Sequence, residues 1–313
     1  MSQPRTLSSL CFVILVLAIW AAGSGVGLLW QQAGSSYQFT SLRGETVEIY
    51  GQGLYRYDSV MVASQGIAQD AVTLLIGVPL LLVSLLWALR GSLRGRLLLL
   101  GTLGYFLYGY AAFAFGAAAY NSLYLVYVAL FALSLFAFLL VLNSIDIASL
   151  PDHFAAALPY RGLSLFGFFV GAFLLMSWLG RIVPSLSQEV PPLGLQTYST
   201  LVIQTLDLAL IVPLAFISGI LLWRRTAWGY LLMSILLLKG LTLALSITAG
   251  VIGQAVAGIQ LSFGEVVIFP LLTLIDLALT YVLLKNVIEG PKMHITVTRE
   301  GQAVNQRLAH DHA

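Results

Sequence analysis

The chain has 313 residues, of which 59% are apolar and only 9% are charged. A soluble domain carries about 25% charged residues, so 28 charged side chains are too few to solvate a soluble protein of this length. The composition therefore excludes a soluble enzyme, a nucleic-acid-binding protein and a disordered chain. It predicts an all-α integral membrane protein, in which the net charge of +2 says little about partners other than the lipid bilayer.

Eight apolar runs of about 20 residues are long enough to cross a hydrocarbon core of about 30 Å. They cover residues 7–30, 70–89, 97–119, 122–143, 163–183, 199–223, 229–252 and 265–285. Transmembrane β-strands would be shorter and would alternate in polarity, so we predict eight transmembrane helices. A cleaved signal peptide is the alternative for the first run and would leave seven spans. Because that run continues through Trp30, we expect an uncleaved helix.

The external loop at residues 31–69, between the first two runs, is the largest polar segment between spans. Thr46–Tyr50 and Leu54–Tyr57 are short β-prone stretches on either side of Gly51 and Gly53, which predicts a small β-hairpin cap. Its tyrosines also suit an aromatic belt at the membrane interface, and both interpretations stay open.

Basic residues are concentrated in alternate connections between the runs, and this asymmetry sets the orientation of a membrane protein. Arg90, Arg94 and Arg96 lie between the second and third runs, Arg161 between the fourth and fifth, and Arg224 and Arg225 between the sixth and seventh. Further basic residues follow the eighth run, starting at Lys285. The opposite connections carry few basic residues, and acidic residues outnumber them in the external loop. We therefore predict a multi-pass protein of the cell membrane with both termini in the cytoplasm.

An offset of 134 residues aligns parts of the chain with each other. It places Pro79 on Pro213, Ser84 on Ser218, Arg90 on Arg224 and Gly95 on Gly229. The offset predicts two parallel four-helix repeats, a first half at 1–146 and a second half at 163–288. A cytoplasmic linker at 147–162 would join them, and a flexible cytoplasmic tail would occupy 289–313. Chance alignment of two leucine-rich helices is the alternative.

Three ionisable residues lie deep inside predicted spans: Asp207, Lys239 and Asp276. At a rise of about 1.5 Å per residue, each falls within a few Å of the membrane midplane. Ionisable groups at this depth are costly and usually functional. Gln204, one turn before Asp207, extends the same polar face. The sequence predicts a substrate- or proton-binding site here, and a structural ion pair between Lys239 and Asp276 is the alternative.

Two tyrosines of the third run, Tyr105 and Tyr108, are deep enough to need hydrogen-bond partners, and the offset places Tyr105 on Lys239. They are included in the predicted site as residues that line a cavity opposite the charges, with aromatic packing as the alternative. Asp70 and Glu265 each begin a predicted span, where a carboxylate favours the helix N-terminus.

The sequence contains none of the motifs that mark metalloproteases, serine hydrolases or nucleotide-binding loops, so we predict no catalytic residue, metal or cofactor. A secondary carrier for a small molecule or an ion is the favoured function, because the predicted repeat and the midplane charges are typical of carriers. A non-catalytic sensor, or an accessory or scaffold subunit with an external cap, is the alternative. An enzyme is the least supported class.

The orientation predicts a labelling pattern. A cysteine placed at position 52 or 260 should react with an impermeant reagent in intact cells, because both positions lie in predicted external loops. A cysteine at position 93 or 226 should react only after permeabilisation. The reverse pattern would contradict the predicted orientation.

Overall fold

The structure is a computed structural model that describes residues 3–29, 33–192 and 194–290. Within these ranges, eight helices are long and apolar enough to span a membrane, which confirms the predicted helical membrane class. They are α1 (Gln3–Gly25), α2 (Val60–Leu89), α3 (Leu93–Ala114), α4 (Tyr124–Leu142), α5 (Tyr160–Gln188), α6 (Val202–Trp223), α7 (Ala227–Val256) and α8 (Phe263–Lys285).

Hydroxyl side chains set where several helices begin. Ser59, Ser92, Thr226 and Ser262 precede α2, α3, α7 and α8, and each accepts a hydrogen bond from a backbone N–H of the first turn. Such caps satisfy amide groups that have no partner inside the helix. Glu265 completes a capping box with Ser262, which confirms the helix-start role predicted for it.

Helix α2 starts ten residues earlier than its apolar run predicts. Its N-cap residue is Ser59, and its first ten residues are a mixed stretch of polar, small and apolar residues that the apolar run does not include. Asp70 is therefore about 15 Å inside the helix at the usual rise of 1.5 Å per residue. The prediction that Asp70 stabilises a helix N-terminus is wrong. Its carboxyl group is buried instead and accepts a hydrogen bond from Tyr55.

Helices α2 and α6 each contain one wide π-helical turn, at Thr73–Gly77 and Asp207–Ile211. In both, a valine N–H bonds the carbonyl five residues back, and a proline follows directly, Pro79 or Pro213. A proline ring clashes with the carbonyl four residues before it and donates no hydrogen bond, so a wider turn relieves the conflict. The two π turns start 134 residues apart, at Thr73 and Asp207.

Helices α3 and α7 form the centre of the bundle. Helix α3 packs against α2, α4 and α7, whereas α7 also contacts α2, α6 and α8; α1 lies on α2 and α4, and α5 lies on α6. Helices α3 and α7 approach each other closely at Gly101, where a Cβ atom would overlap the side chain of Leu238. The backbones of α3 and α7 therefore cross next to Lys239.

Residues 33–59, in the segment between α1 and α2, form a small structure that we call the cap. Tyr37–Thr40 and Thr46–Ile49 pair as an antiparallel hairpin. The predicted pairing of Thr46–Tyr50 with Leu54–Tyr57 is therefore wrong, because the strand partner lies before Thr46. Residues 54–57 form turns that place Tyr55 between the helices, where its ring packs on Gly66.

The face opposite the cap is closed by the segment that connects α4 to α5. A short 3₁₀ turn, Leu150–His153, leads to Phe154, which pairs with Val287 just after α8. Glu289 then accepts hydrogen bonds from Ser92 and from the first backbone amides of α3. The predicted flexible tail therefore begins with a docked residue, and from residue 291 on it lies outside the described residues.

The tight crossing at Gly101 predicts a difference between two glycine substitutions. Gly101→Ala should lower the unfolding temperature in detergent, with a cost of about 1–3 kcal/mol, because the added methyl group overpacks the contact between α3 and α7. Gly180→Ala in α5 is the matched control, since a Cβ atom there meets no atom within 4 Å. Equal unfolding temperatures for the two variants would contradict the proposed tight crossing.

Candidate functional site

Asp207 is the first residue of the π turn in α6, and its carboxyl group is buried among three other helices. The Tyr108 hydroxyl donates to its Oδ1 at 2.7 Å, and the Trp178 indole N–H donates to its Oδ2 at 3.0 Å. Both carboxylate oxygens thus have a neutral donor. Tyr108 comes from α3 and Trp178 from α5, so the carboxyl group ties α6 to both helices.

Lys239 lies in the middle of α7 with its ammonium group buried. The Nζ atom lies 3.7 Å from the centroid of the Tyr108 ring, within the range of a cation–π interaction. It donates to no hydrogen-bond acceptor in the described part of the chain. An ammonium group has three donor protons, so this one is stabilised by the ring and by the nearby charge of Asp207 rather than by direct bonds.

Tyr108 therefore connects the two charged residues. Its hydroxyl binds Asp207 while the face of its ring lies under Lys239, so one aromatic side chain from α3 contacts side chains of α6 and α7. All three residues belong to the site predicted from the sequence, and the structure brings them together. Trp178 was not predicted, because it had no distinguishing signal in an aromatic-rich span.

Tyr105 lies at a second set of contacts, separate from the charges. Its hydroxyl bonds the Thr73 hydroxyl at 2.7 Å and lies 3.4 Å from the Ser246 hydroxyl. Thr73 is the first residue of the π turn in α2, as Asp207 is in α6. The 134-residue offset therefore places the neutral Thr73–Tyr105 pair on the Asp207–Lys239 pair.

Asp276 does not pair with Lys239. Among the described residues no ion pair joins them, and the Asp276 carboxyl group lies against Gly240 and accepts a hydrogen bond from Thr280 at 3.3 Å. The alternative interpretation, a structural ion pair between Lys239 and Asp276, is therefore wrong. Gln204 is buried one turn before Asp207, as its position on the helix requires.

Asp70, which the sequence predicted at a helix N-terminus, is instead a buried acid near the cap. The Tyr55 hydroxyl donates to Asp70 at 2.6 Å, and both side chains are enclosed by the bundle. The end of α1 also comes close, because a Cβ atom at Gly25 would overlap the Asp70 carboxyl group. Ser59, the N-cap residue of α2, was the signal in the sequence that could have given the correct start of this helix. That start would have placed Asp70 deep inside α2.

Asp58 links three connections on the cap side. Its Oδ1 accepts bonds from the Ala119 backbone N–H at 2.6 Å and from the Tyr198 hydroxyl at 2.7 Å. Burial raises the pKa of Asp58 to about 6, although these two hydrogen bonds oppose the shift. The cap is therefore joined to the α3–α4 and α5–α6 connections by one titratable group.

Two cavities lie near the cap, and neither is lined by Lys239. The larger, of about 70 Å³, is lined by aromatic residues that include Phe113, Tyr124 and Tyr127, and a smaller one lies beside Arg56 and Asn121. Within the described ranges, no three His, Cys, Asp or Glu side chains come together as metal ligands would. Lys239 and Asp207 are each 4% exposed, so protein encloses both side chains.

The raised pKa of Asp58 predicts a pH-dependent stability. The folded chain holds the Asp58 proton more tightly than the unfolded chain, whose pKa is near the ordinary 3.8. The contribution of this group is therefore fully present below pH 3.8 and is lost as the pH rises through about 6. In thermal unfolding in detergent, Asp58→Asn should reduce the fall in unfolding temperature between pH 4 and pH 7. Unchanged curves would contradict the raised pKa.

Comparison with protein-family models, curated proteins and solved structures gave no match for this chain. No activity can therefore be carried over from a relative.

Proposed function

We propose that the protein is a secondary carrier whose binding site is formed by Lys239, Asp207 and Tyr108. The observation that carries the proposal is the buried Lys239 ammonium group, which has a cation–π contact but no hydrogen-bond acceptor among the described residues. Charge buried at this depth costs several kcal/mol, so a chain that keeps it there usually uses it.

The unused donors of Lys239 favour a substrate that supplies acceptor atoms. Both oxygens of Asp207 already accept bonds from Tyr108 and Trp178, so this carboxylate compensates the lysine charge without binding it directly. A small anion or a strong hydrogen-bond acceptor would complete the coordination of the ammonium group. Release of the lysine proton is the other event that such a site supports, and it would couple transport to a proton gradient.

The internal repeat is part of this proposal. The offset of 134 residues relates the two π turns, and it also relates the N-cap residues Ser92 and Thr226. It further relates Ser84 and Ser218, whose hydroxyl groups each donate to the carbonyl three residues back. These shared local features support two parallel halves, related by an axis along the membrane normal. Carriers with such halves bind their substrates between them, near the midplane.

The position of Tyr108 supports a site between the halves. It comes from the first half, whereas Asp207 and Lys239 belong to the second. At the related position in the first half, Thr73 and Tyr105 form a neutral hydrogen bond. We therefore propose one charged site rather than two, with the first half supplying the aromatic surface and the second half supplying the charges.

The orientation and location follow from the arginine distribution. We propose that both termini lie in the cytoplasm and that the cap lies outside the cell. Arg90, Arg161, Arg224 and Arg225 lie at the side opposite the cap in the helical bundle, which is where the charge rule requires them.

A sensor or accessory subunit is the second candidate, and the cap is the observation that favours it. The first cap strand is exposed along its whole length, and Tyr37, Phe39 and Leu42 present large apolar side chains to solvent. A partner or ligand bound there would need no path to Lys239. In this alternative, the charged residues hold the bundle together.

The carrier proposal predicts loss of transport in a lysine variant. In proteoliposomes supplied with a mixture of labelled small organic anions, the wild-type chain should take up at least one of them. Lys239→Met should reduce that uptake at least 10-fold, because the binding cation is removed. Lys285→Met, at the end of α8, removes the same charge outside the site and should keep full uptake. Uptake by Lys239→Met at the wild-type rate would contradict the proposed site.

A double variant separates binding from structure. Lys239→Met alone leaves Asp207 without its compensating charge and should lower the unfolding temperature. Adding Asp207→Asn keeps acceptor and donor atoms near Tyr108 and removes the unbalanced charge, so it should restore stability while uptake stays lost. Recovery of uptake together with stability would assign these residues a structural role only.

A further inference from the structure

The side opposite the cap carries a pair of arginines around one aromatic ring. The Arg225 guanidinium carbon lies 3.9 Å from the centroid of the Tyr160 ring, and that of Arg161 lies 5.8 Å from it. Arg161 is also 5.8 Å from the Trp223 ring. Tyr160 and Arg161 start α5, whereas Trp223 ends α6 and Arg225 follows it, so two helix ends build this cluster.

The cluster holds positive charge without a counter-ion in the described part of the chain. No carboxylate there lies within ion-pair distance of Arg161 or Arg225. Two like charges beside one ring repel each other, and the ring faces offset only part of that cost. The first turn of α5 adds to the positive potential, because Pro159 provides no side-chain cap for its amide groups. An anion placed between the guanidinium groups would relieve the repulsion.

The backbone at Arg225 is a second, independent observation. This residue adopts a left-handed conformation with φ of 54°, which is unfavourable for any residue with a side chain. The corresponding turn between α2 and α3 uses glycine at this point, Gly91, with φ of 85°. The chain therefore accepts backbone strain at residue 225 and gains a guanidinium group over Tyr160.

Apolar side chains continue from the arginines towards the membrane. Leu165 and Phe169 follow Arg161 at intervals of four residues on α5, and both are exposed. Trp223 and Ile220 are exposed on the neighbouring end of α6. The surface thus combines a cationic head region with an apolar stripe, as an amphiphile with an anionic head would require.

We propose that this cluster binds the phosphate group of an anionic phospholipid. The planar guanidinium groups of Arg161 and Arg225 bind the phosphate oxygens in a bidentate manner, and the exposed side chains of α5 and α6 contact the acyl chains. The ligand is a lipid rather than free phosphate because the apolar stripe leads directly from the arginines. This proposal is independent of the carrier function.

The test uses the full chain in detergent and measures unfolding temperature against added ligand. The probes are dioctanoyl phosphatidylglycerol, dioctanoyl phosphatidylcholine and inorganic phosphate. Phosphatidylglycerol should raise the unfolding temperature more than phosphatidylcholine does. Arg161→Gln/Arg225→Gln should raise the half-saturating concentration of phosphatidylglycerol at least fivefold. Arg5→Gln/Arg90→Gln removes the same charge from exposed positions and should leave that concentration unchanged.

A third variant covers the case in which the double variant folds poorly. Arg225→Gly removes the guanidinium group and also relieves the left-handed backbone, so it should unfold at or above the wild-type temperature without lipid. Its response to phosphatidylglycerol should still be weaker. Equal responses to phosphatidylglycerol and phosphatidylcholine would overturn the proposal. So would equal losses in both double variants, and so would full saturation by inorganic phosphate alone, which would assign the site to a free ion.

Discussion

The contact of Tyr108 with Asp207 and Lys239 is the interaction on which the interior of the bundle depends. A carboxylate and an ammonium group are both kept away from water, and neither bonds the other directly. One phenol serves both, because its hydroxyl donates to the acid and the face of its ring attracts the cation. Helices α3, α6 and α7 must keep their relative positions for this arrangement to persist, so their packing and the charges stabilise each other.

The cap extends this dependence to the membrane surface. Tyr55 reaches from the cap into the bundle and bonds Asp70, while Asp58 joins the cap to two other connections through Ala119 and Tyr198. Polar groups therefore connect the cap to the interior at two depths. Displacing the cap would break the hydrogen bonds of two buried carboxyl groups, Asp58 and Asp70.

The features that depend on local composition could be predicted from the sequence alone. The apolar runs predicted all eight helices, and the depth of the charges within those runs placed Asp207 and Lys239 in the interior. It failed where a tertiary contact decides the outcome. Nothing in the spacing of residues shows that Tyr108 rather than Asp276 meets Lys239, since that depends on how α3, α7 and α8 are rotated. The start of α2 was misplaced because Ser64, Gln65 and Gln69 interrupt the apolar pattern before Asp70, although the helix already begins after Ser59.

The crossing of α3 and α7 at Gly101 has a mechanical consequence. At Gly101 the backbones of α3 and α7 are in close contact, with no large side chain between them. The two helices can rotate about this contact, but they cannot slide sideways there. The contact residue, Leu238, directly precedes Lys239, so the ammonium group lies next to the point about which the helices would rotate. A tilt of a few degrees would barely displace the charged residues, whereas the helix ends, many residues away on both faces, would move several times farther. Such a tilt would preserve the geometry at the centre while it moved the two ends of the helices.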